Sequence, residues 1–329
     1  MDTCANHQKI LITGATGFVG SYLVDALNNH PQFAEATLQC WQYGASEKQT
    51  NANALNVDIR NSAAVATSIQ NLRPTHVVHL AAQSHVPASF ENPRLTWDIN
   101  VMGTLNLLEA VKKHAPHAGV LYVSSSEVYG KTFQCGHALD ETSLLQPQNP
   151  YAASKAAADI MAGQYAAQGL RIIRMRPFNH IGPGQRREFV VPAFASQIAQ
   201  IEAGQQKPIL KVGNLEAQRD FLDVRDVVRA YVIALEKIAT LPAGLALNIC
   251  SGVPRPISTL LDGLLDLTKC PIQISHDPER MRPSDTRRAF GDSSAAVRYL
   301  GWKPQIPLQQ TLREVLNEWR NRAGREIQD

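Results

Sequence analysis

The sequence predicts an α/β fold: a Rossmann-type doubly wound parallel sheet with a smaller, interleaved C-terminal lobe. First, short apolar runs alternate with helical patterns through the first half of the chain. Second, these runs are continuously apolar, as expected for strands covered by helices on both faces. Third, the glycine-rich turn TGATGFVG follows the first strand directly and opens a helix. Together, these three observations favour a parallel sheet that binds a dinucleotide at one edge.

Strand and helix alternate regularly up to Pro177 and less regularly afterwards. Strands are predicted at 9–13, 37–41, 54–58, 76–82, 119–125, 171–177 and 245–250. Helices are predicted near 18–28, 61–72, 94–114, 150–168, 191–204, 223–238 and 257–269, with a loop at 180–187. We assign 1–178, with returning segments at about 223–250, to a dinucleotide-binding domain, and 179–222 and 251–329 to a substrate lobe.

Composition indicates an ordinary globular protein. Of 329 residues, 44% are apolar and 19% charged, and the net charge of +3 gives no support for a nucleic-acid surface. Five scattered cysteines lack the spacing of a metal site or disulfide framework, which predicts reduced thiols in the cytoplasm and no metal. No signal-like or membrane-spanning apolar run is present, so no membrane association is expected.

The glycine-rich turn predicts a pyrophosphate site. Gly14, Gly17 and Gly20 permit a tight turn and a close backbone approach, and the following helix offers its N-terminus to the anion. The cofactor contacts predicted here also include Thr16, Phe18 and Val19.

The adenosine end of the cofactor is less clearly marked. Neither an acid nor an arginine stands near Trp41–Tyr43, so the choice between NAD and NADP stays open. Asp58 either accepts a hydrogen bond from the adenine amino group or caps the following helix.

The stretch NPYAASKAA contains a tyrosine and a lysine four residues apart. This spacing puts Tyr151 and Lys155 on one face of a helix. A neighbouring cation is expected to lower the pKa of the phenol, so that it exchanges a proton near neutral pH. The alternative is an aromatic ring packed along a lysine stem.

Six motifs in order resemble the extended short-chain dehydrogenase/reductase family of nucleotide-sugar-modifying enzymes. They are TGATGFVG, NVDIR, HLAAQSHV, VSSSEVYG, YAASK and RPFNHIGPGQ. The resemblance implies that Tyr151 donates a proton, that Lys155 tunes it and binds the nicotinamide ribose, and that Ser125 hydrogen-bonds the reacting substrate oxygen. It implies further cofactor contacts at Ile59, Leu80, Ala81, Ala82, Asn100 and Phe178, and substrate contacts at Ser84, Ser126, Asn179, Val190, Arg219 and Arg282.

The later segments FNHIGPGQ, KVGNLEAQRDFLDVRD, NICSG and GWKPQIPL narrow the reaction within that family. They resemble members that use NAD(P)H to reduce the C4 ketone of a GDP-linked 4-keto-6-deoxy sugar. Dehydration of GDP-mannose, reduction on another nucleotide, and cofactor sensing without turnover remain open. Glu127 is either a base for the dehydratase reaction or a residue that orders the site. The resemblance also implies a homodimer through the helices near 94–114 and 150–168, with a tetramer open.

Overall fold

A seven-stranded sheet lies at the centre of the computed structural model, which describes residues 8–43, 53–280 and 286–325. The strands in these ranges are β1 (Lys9–Thr13), β2 (Thr37–Gln42), β3 (Asn53–Asn56), β4 (His76–His79), β5 (Gly119–Val123), β6 (Arg171–Pro177), β7 (Asn179–Ile181), β8 (Ile209–Val212), β9 (Gln218–Asp223), β10 (Ala246–Ile249), β11 (Pro254–Pro256), β12 (Gln273–His276) and β13 (Arg288–Ala289). The central sheet has the order β10-β6-β5-β4-β1-β2-β3. All its pairings are parallel, which confirms the predicted doubly wound Rossmann-type sheet.

Helices cover both faces of this sheet. They are α1 (Phe18–Asn28), α2 (Ser62–Leu72), α3 (Val86–Glu91), α4 (Pro93–Trp97), α5 (Gly103–His114), α6 (Pro150–Ala167), α7 (Val190–Glu202), α8 (Val224–Glu236), α9 (Ile257–Leu265), α10 (Ser294–Leu300) and α11 (Leu308–Arg325). One core cluster joins the sheet to α1, α8 and α10. A second joins it to α2, α5 and α6. Burial on both faces explains why the strands are continuously apolar.

The strand order reverses between β1 and β4, which are neighbours in the sheet. In open α/β sheets, ligands bind outside the carboxyl ends of the strands at such a switch point. Three connections leave the sheet at this edge: the turn after β1, the loop after β4 and the turn after β5. All three contain residues that the sequence assigns to the site.

The later chain builds a second lobe on small sheets. In one sheet, β9 lies between β11 and β13 and also pairs with β7. In the other, β8 pairs with β12. A third apolar cluster packs α7, α9 and α11 against these strands. The chain then returns to the central sheet, because Trp302 is fully buried in the first cluster and its indole N–H donates to the Asp226 carbonyl.

Two predicted elements differ from the structure. The helix predicted near 94–114 consists of α4, a π-helical turn over Asp98–Met102, and α5. The π turn accompanies an inward-facing Asn100, whose amide bonds a neighbouring loop instead of solvent. The loop predicted at 180–187 begins within the short strand β7, whose partner β9 lies some forty residues away and leaves no local signal. In the described part of the chain, no helix is long and apolar enough to cross a membrane.

Candidate active site

The turn after β1 is shaped for the close approach of a large anion. Gly14 has a φ of +72°, and a Cβ there would lie 2.9 Å from the amide nitrogen of Ala81. A Cβ on Gly20 would lie 2.4 Å from the Gly14 carbonyl oxygen, so only glycine lets α1 start this close to the turn. Gly17 precedes α1 without a side-chain cap, and no acidic residue occupies the first turn. The free N–H groups of that turn therefore suit the pyrophosphate of a dinucleotide.

The loop after β4 is fixed by a buried asparagine. Asn100 accepts a hydrogen bond from the Gln83 N–H (2.8 Å) and donates to the Gln83 carbonyl (3.0 Å) and the Ser154 hydroxyl (2.9 Å). It thus ties the segment carrying Leu80, Ala81 and Ala82 to the helix that carries Tyr151. Because both polar ends of this amide are bonded to protein atoms, its part in cofactor binding is to position that loop.

Asp58 follows β3 and is held by an arginine. The Arg60 guanidinium donates to both carboxylate oxygens at 2.6–3.1 Å and also to the Tyr43 hydroxyl at 2.9 Å. Hydrogen bonding to Arg60 holds the pKa of Asp58 below its usual range. The sequence also leaves Asp58 as a candidate cap of the following helix, but the N-cap of α2 is Asn61, whose side chain accepts the Ala64 N–H. Ile59 is buried, and its side chain packs against Gly103.

Tyr151 and Lys155 lie in the first turns of α6, which begins at a well-formed cap. Asn149 accepts the Ala152 N–H at 2.7 Å, and Pro150 occupies the first helical position. Ser125 caps the turn after β5 by accepting the Glu127 N–H, and its side chain lies near enough to the Tyr151 phenol to lower the pKa of that phenol. The Lys155 ammonium donates to the Val123 carbonyl at 2.5 Å. The two catalytic candidates and Ser125 therefore meet at the carboxyl end of β5.

The expected lowering of the tyrosine pKa is wrong for this structure. The pKa of Tyr151 is raised to about 12, chiefly by burial; Ser125 opposes part of this rise and the nearby Glu127 adds to it. Burial also lowers the pKa of Lys155 to about 8. The lysine ammonium is directed at a carbonyl and lies 4.9 Å from the Tyr122 ring centroid. Sequence spacing shows proximity along a helix, whereas desolvation depends on the surrounding fold.

Glu127 lies among the candidate catalytic groups. Its carboxylate is 3.5 Å from the Asn149 side-chain amide, at the limit of a hydrogen bond. Electrostatic interaction with Glu127 raises the pKa of Tyr151, and it opposes the lowering of the Arg219 pKa that burial causes. Glu127 therefore lies within electrostatic range of both the Tyr151 phenol and the Arg219 guanidinium.

Sequence reasoning missed the buried ion pairs behind Lys155. Asp159 is fully buried one helical turn after the lysine. It accepts hydrogen bonds from Arg176 (3.0 and 2.9 Å) and from Arg174 (2.8 Å) on β6. Its negative charge supports the protonated form of Lys155 against the effect of burial. The sequence signal that could have revealed Asp159 is its spacing of four residues after Lys155 and eight after Tyr151, which puts all three on one face of the helix.

The substrate candidates are spread over several elements. Ser84 is exposed in the loop after β4, Ser126 is buried in the turn after β5, and Val190 begins α7. Asn179 on β7 pairs in register with Phe221 on β9, two residues beyond Arg219. These contacts stay predictions, and Arg282 lies outside the described residues. The Phe178 side chain packs in a separate apolar cluster with Phe133, and the cofactor contact expected of this residue stays a prediction.

The fold and this site define a class of protein: a nicotinamide-dinucleotide oxidoreductase of the extended short-chain dehydrogenase/reductase type. A family model described as GDP-mannose 4,6 dehydratase matches residues 11–315. The GDP-6-deoxy-D-mannose reductase of Pseudomonas aeruginosa is 37% identical over 323 residues, covering 97% of this chain and 99% of that protein.

Solved structures agree with the sequence comparison. The structure of RMD from Pseudomonas aeruginosa complexed with NADPH has a TM-score of 0.80 and 35% identity, covering 96% of this chain and 100% of that one. The UDP-glucose 4-epimerase of Thermus thermophilus, solved with NAD, has a TM-score of 0.81 and 27% identity, covering 95% and 99%. The chain belongs to the GDP-mannose 4,6-dehydratase family, which confirms the predicted resemblance, the enzyme class and the nicotinamide cofactor.

Proposed function

We propose that the protein reduces the C4 ketone of a GDP-linked 4-keto-6-deoxy-mannose to the corresponding GDP-6-deoxyhexose. The observation that carries the proposal is that Tyr151, Lys155 and Ser125 meet at the carboxyl end of β5. The near full-length similarity to the Pseudomonas aeruginosa GDP-6-deoxy-D-mannose reductase supports the substrate class. Under the proposed division into a dinucleotide domain and a substrate lobe, these residues lie between cofactor and nucleotide sugar.

The two hydroxyls act on the oxygen of the ketone. A reduced nicotinamide supplies the hydride that adds to C4. Tyr151 gives its phenolic proton to the oxygen that becomes an alkoxide, and Ser125 donates a second hydrogen bond to it. Because the pKa of Tyr151 is about 12, the phenol is protonated at neutral pH and ready to donate. Lys155 is not among the groups that shift the pKa of Tyr151, so we assign its ammonium to the nicotinamide ribose, as the family resemblance implies.

We infer that NADPH is the preferred reductant. Arg60 places a guanidinium beside Tyr43 at the end of β2, where a dinucleotide fold receives the adenosine ribose. Guanidinium groups suit a 2′-phosphate because they present several donors and stay charged. The RMD relative was solved with NADPH, which supports the same choice.

One assay tests the proposed reaction. The protein is incubated with NADPH or NADH and GDP-4-keto-6-deoxymannose, and cofactor oxidation is followed together with product formation. A reductase oxidises one cofactor for each product molecule. Tight cofactor binding without turnover of this ketone or of GDP-mannose would contradict the proposal and favour a cofactor sensor.

Dehydration of GDP-mannose is the second candidate because Glu127 lies beside Tyr151 and Asn149. A carboxylate there suits removal of a proton next to the C4 ketone. The family model that matches the chain is also named for this reaction. When GDP-mannose is supplied in place of the ketone, a dehydratase consumes it without net oxidation or reduction of the cofactor, because the hydride leaves and returns within one turnover.

We further propose that two copies pair through α4, the π turn, α5 and α6. Four large apolar side chains are exposed on α3, α4, the π turn and α6, namely Phe90 (62%), Trp97 (41%), Met102 (48%) and Ile160 (61%). These elements contact one another in the fold, and exposed large apolar side chains on adjacent elements are typical of a surface that is covered in the assembled protein.

The four free cysteines in the described ranges, two of them buried, support the predicted cytoplasmic location.

A further inference from the structure

Two arginines lie side by side in the small sheet of the second lobe. β11 pairs antiparallel with β9, and Arg255 is the direct partner of Arg219. Side chains of directly opposite residues leave a sheet on the same face, with Cβ atoms about 4.5–5.5 Å apart. Like charges in such a pair repel each other, so this arrangement is destabilising unless an anion lies near both.

Arg255 has an unsatisfied donor. Its Nε is buried and has no hydrogen-bond partner. Within the described ranges, no carboxylate forms an ion pair with it. Arg219 differs, because it donates to the carbonyls of Gln218 and Thr286 and interacts with Glu127. A buried donor without a partner is destabilising, and an incoming acceptor would relieve this cost.

The backbone that carries Arg255 is rigid. Pro254 and Pro256 flank it, each with a restricted φ. Asp220 holds the chain just before β11, because its carboxylate accepts the N–H groups of Ser251 and Gly252, both at 2.8 Å. The arginine is therefore presented from a fixed position, which reduces the entropy that binding costs.

The same face of this sheet carries other substrate candidates. Asn179 is in register with Phe221, two residues from Arg219, and side chains two residues apart on a strand share a face. Asn179, Arg219 and Arg255 thus project from one face of adjacent strands. Arg219 lies within electrostatic range of Glu127 in the turn after β5, which places this end of the face near the candidate active site.

We propose that Arg255, together with Arg219, binds the diphosphate of the nucleotide sugar and determines affinity for it. Two forked guanidinium groups suit a pyrophosphate because each offers paired donors to its oxygens. This inference rests on the proposed function for the identity of the ligand. It adds a residue that neither the motifs nor the comparisons assign.

The test is titration calorimetry of the full chain with GDP, inorganic pyrophosphate and guanosine. Arg255→Gln is expected to weaken GDP and pyrophosphate about tenfold, as for loss of one charge-assisted contact, and to leave guanosine unchanged. Arg255→Lys keeps the charge and loses the fork, so it should fall between wild type and Arg255→Gln.

Arg288→Gln is the matched control. Arg288 lies on β13 and pairs with Gln218 of β9, the residue before Arg219. Its side chain therefore leaves the sheet on the face opposite to Arg219 and Arg255, and it is exposed. Its loss should change GDP affinity less than about twofold. NADPH affinity should match wild type in all three variants, and none of them should melt at a lower temperature than wild type, which excludes misfolding as the cause.

Unchanged GDP affinity in Arg255→Gln would overturn the inference. So would an equal loss in Arg288→Gln, or an equal loss for guanosine, because neither is specific to a diphosphate contact. The proposed function is judged separately by turnover of the wild type. If the wild type fails to reduce the ketone while GDP and pyrophosphate binding still depend on Arg255, the reaction is wrong and the binding site stands.

Discussion

At the scale of single residues, burial decides how Tyr151 works. An exposed tyrosine beside a lysine would be a stronger acid, but burial raises the pKa of this phenol to about 12. Such a phenol keeps its proton throughout the physiological range. The alkoxide formed on C4 is more basic than a phenolate, so proton transfer to it remains favourable. The structure therefore gives Tyr151 the protonation state that ketone reduction requires.

The pH dependence of turnover tests the role of Lys155. Burial lowers its pKa to about 8, so the free enzyme loses this positive charge as pH rises through that value. We expect kcat/KM to fall on the alkaline side with an apparent pKa near 8. Lys155→Arg keeps its charge, so its residual activity should lack this alkaline fall. An identical fall in that variant would assign the titration to another group.

Arg60 gives a second prediction at this scale. Arg60→Gln should lower the ratio of kcat/KM for NADPH over NADH by about tenfold, because one charged contact to the 2′-phosphate is lost. Activity with NADH should change little. Steady-state rates with both cofactors provide the measurement, and an unchanged ratio would place the 2′-phosphate elsewhere.

At the scale of elements, the sequence predicted what local patterns determine. The strands of the central sheet, the turn at Gly14 and the Tyr151–Lys155 spacing were all visible in short windows. The features that the sequence did not predict depend on pairing between segments that are far apart in the chain. β7 depends on β9, and the neighbour of Arg219 became known only through the register with β11, some thirty-five residues away. The π turn likewise depends on Asn100 reaching Gln83 and Ser154.

The contact between α1 and the first turn gives a prediction for an element. Gly20→Ala would bring a Cβ to within 2.4 Å of the Gly14 carbonyl oxygen, so the helix must move away from the turn. We expect a loss of about 1–3 kcal/mol in the free energy of unfolding and weaker NADPH binding.

Gly324→Ala in α11 is the matched control, because nothing lies within 4 Å of its added Cβ. It should be neutral or more stable by up to about 1 kcal/mol. Denaturant unfolding and cofactor titration measure both variants. Equal NADPH affinity in Gly20→Ala and wild type would show that this close contact does not shape the cofactor site.

At the scale of the whole molecule, the lobes are connected through the site. β9 carries Arg219 on the face of the second lobe and Leu222 in the cluster of the central sheet. α8 follows β9 directly and packs on that sheet. The cationic face of the second lobe is thus held in a fixed relation to the catalytic turn after β5. The division into a dinucleotide domain and an interleaved substrate lobe stays a prediction from the sequence.

Assembly gives a prediction at this scale. Ile160→Arg places a charge on an exposed apolar position of α6, and it should shift a dimer to monomers at micromolar concentration. Leu144→Arg is the control, since Leu144 is 70% exposed on a loop outside these helices. Sedimentation velocity distinguishes the species. A wild type that sediments as a monomer, or an Ile160→Arg dimer, would show that this face does not mediate pairing.

The most direct test of the account is single-turnover hydride transfer by Tyr151→Phe with NADPH and GDP-4-keto-6-deoxymannose. Without the phenolic proton, the rate should fall about 10²–10⁴-fold while NADPH affinity is retained. Tyr165→Phe makes the same change on the same helix, at a hydroxyl bonded to Glu109, and should keep the wild-type rate. A Tyr151→Phe rate above about a tenth of wild type would contradict the proposed proton transfer.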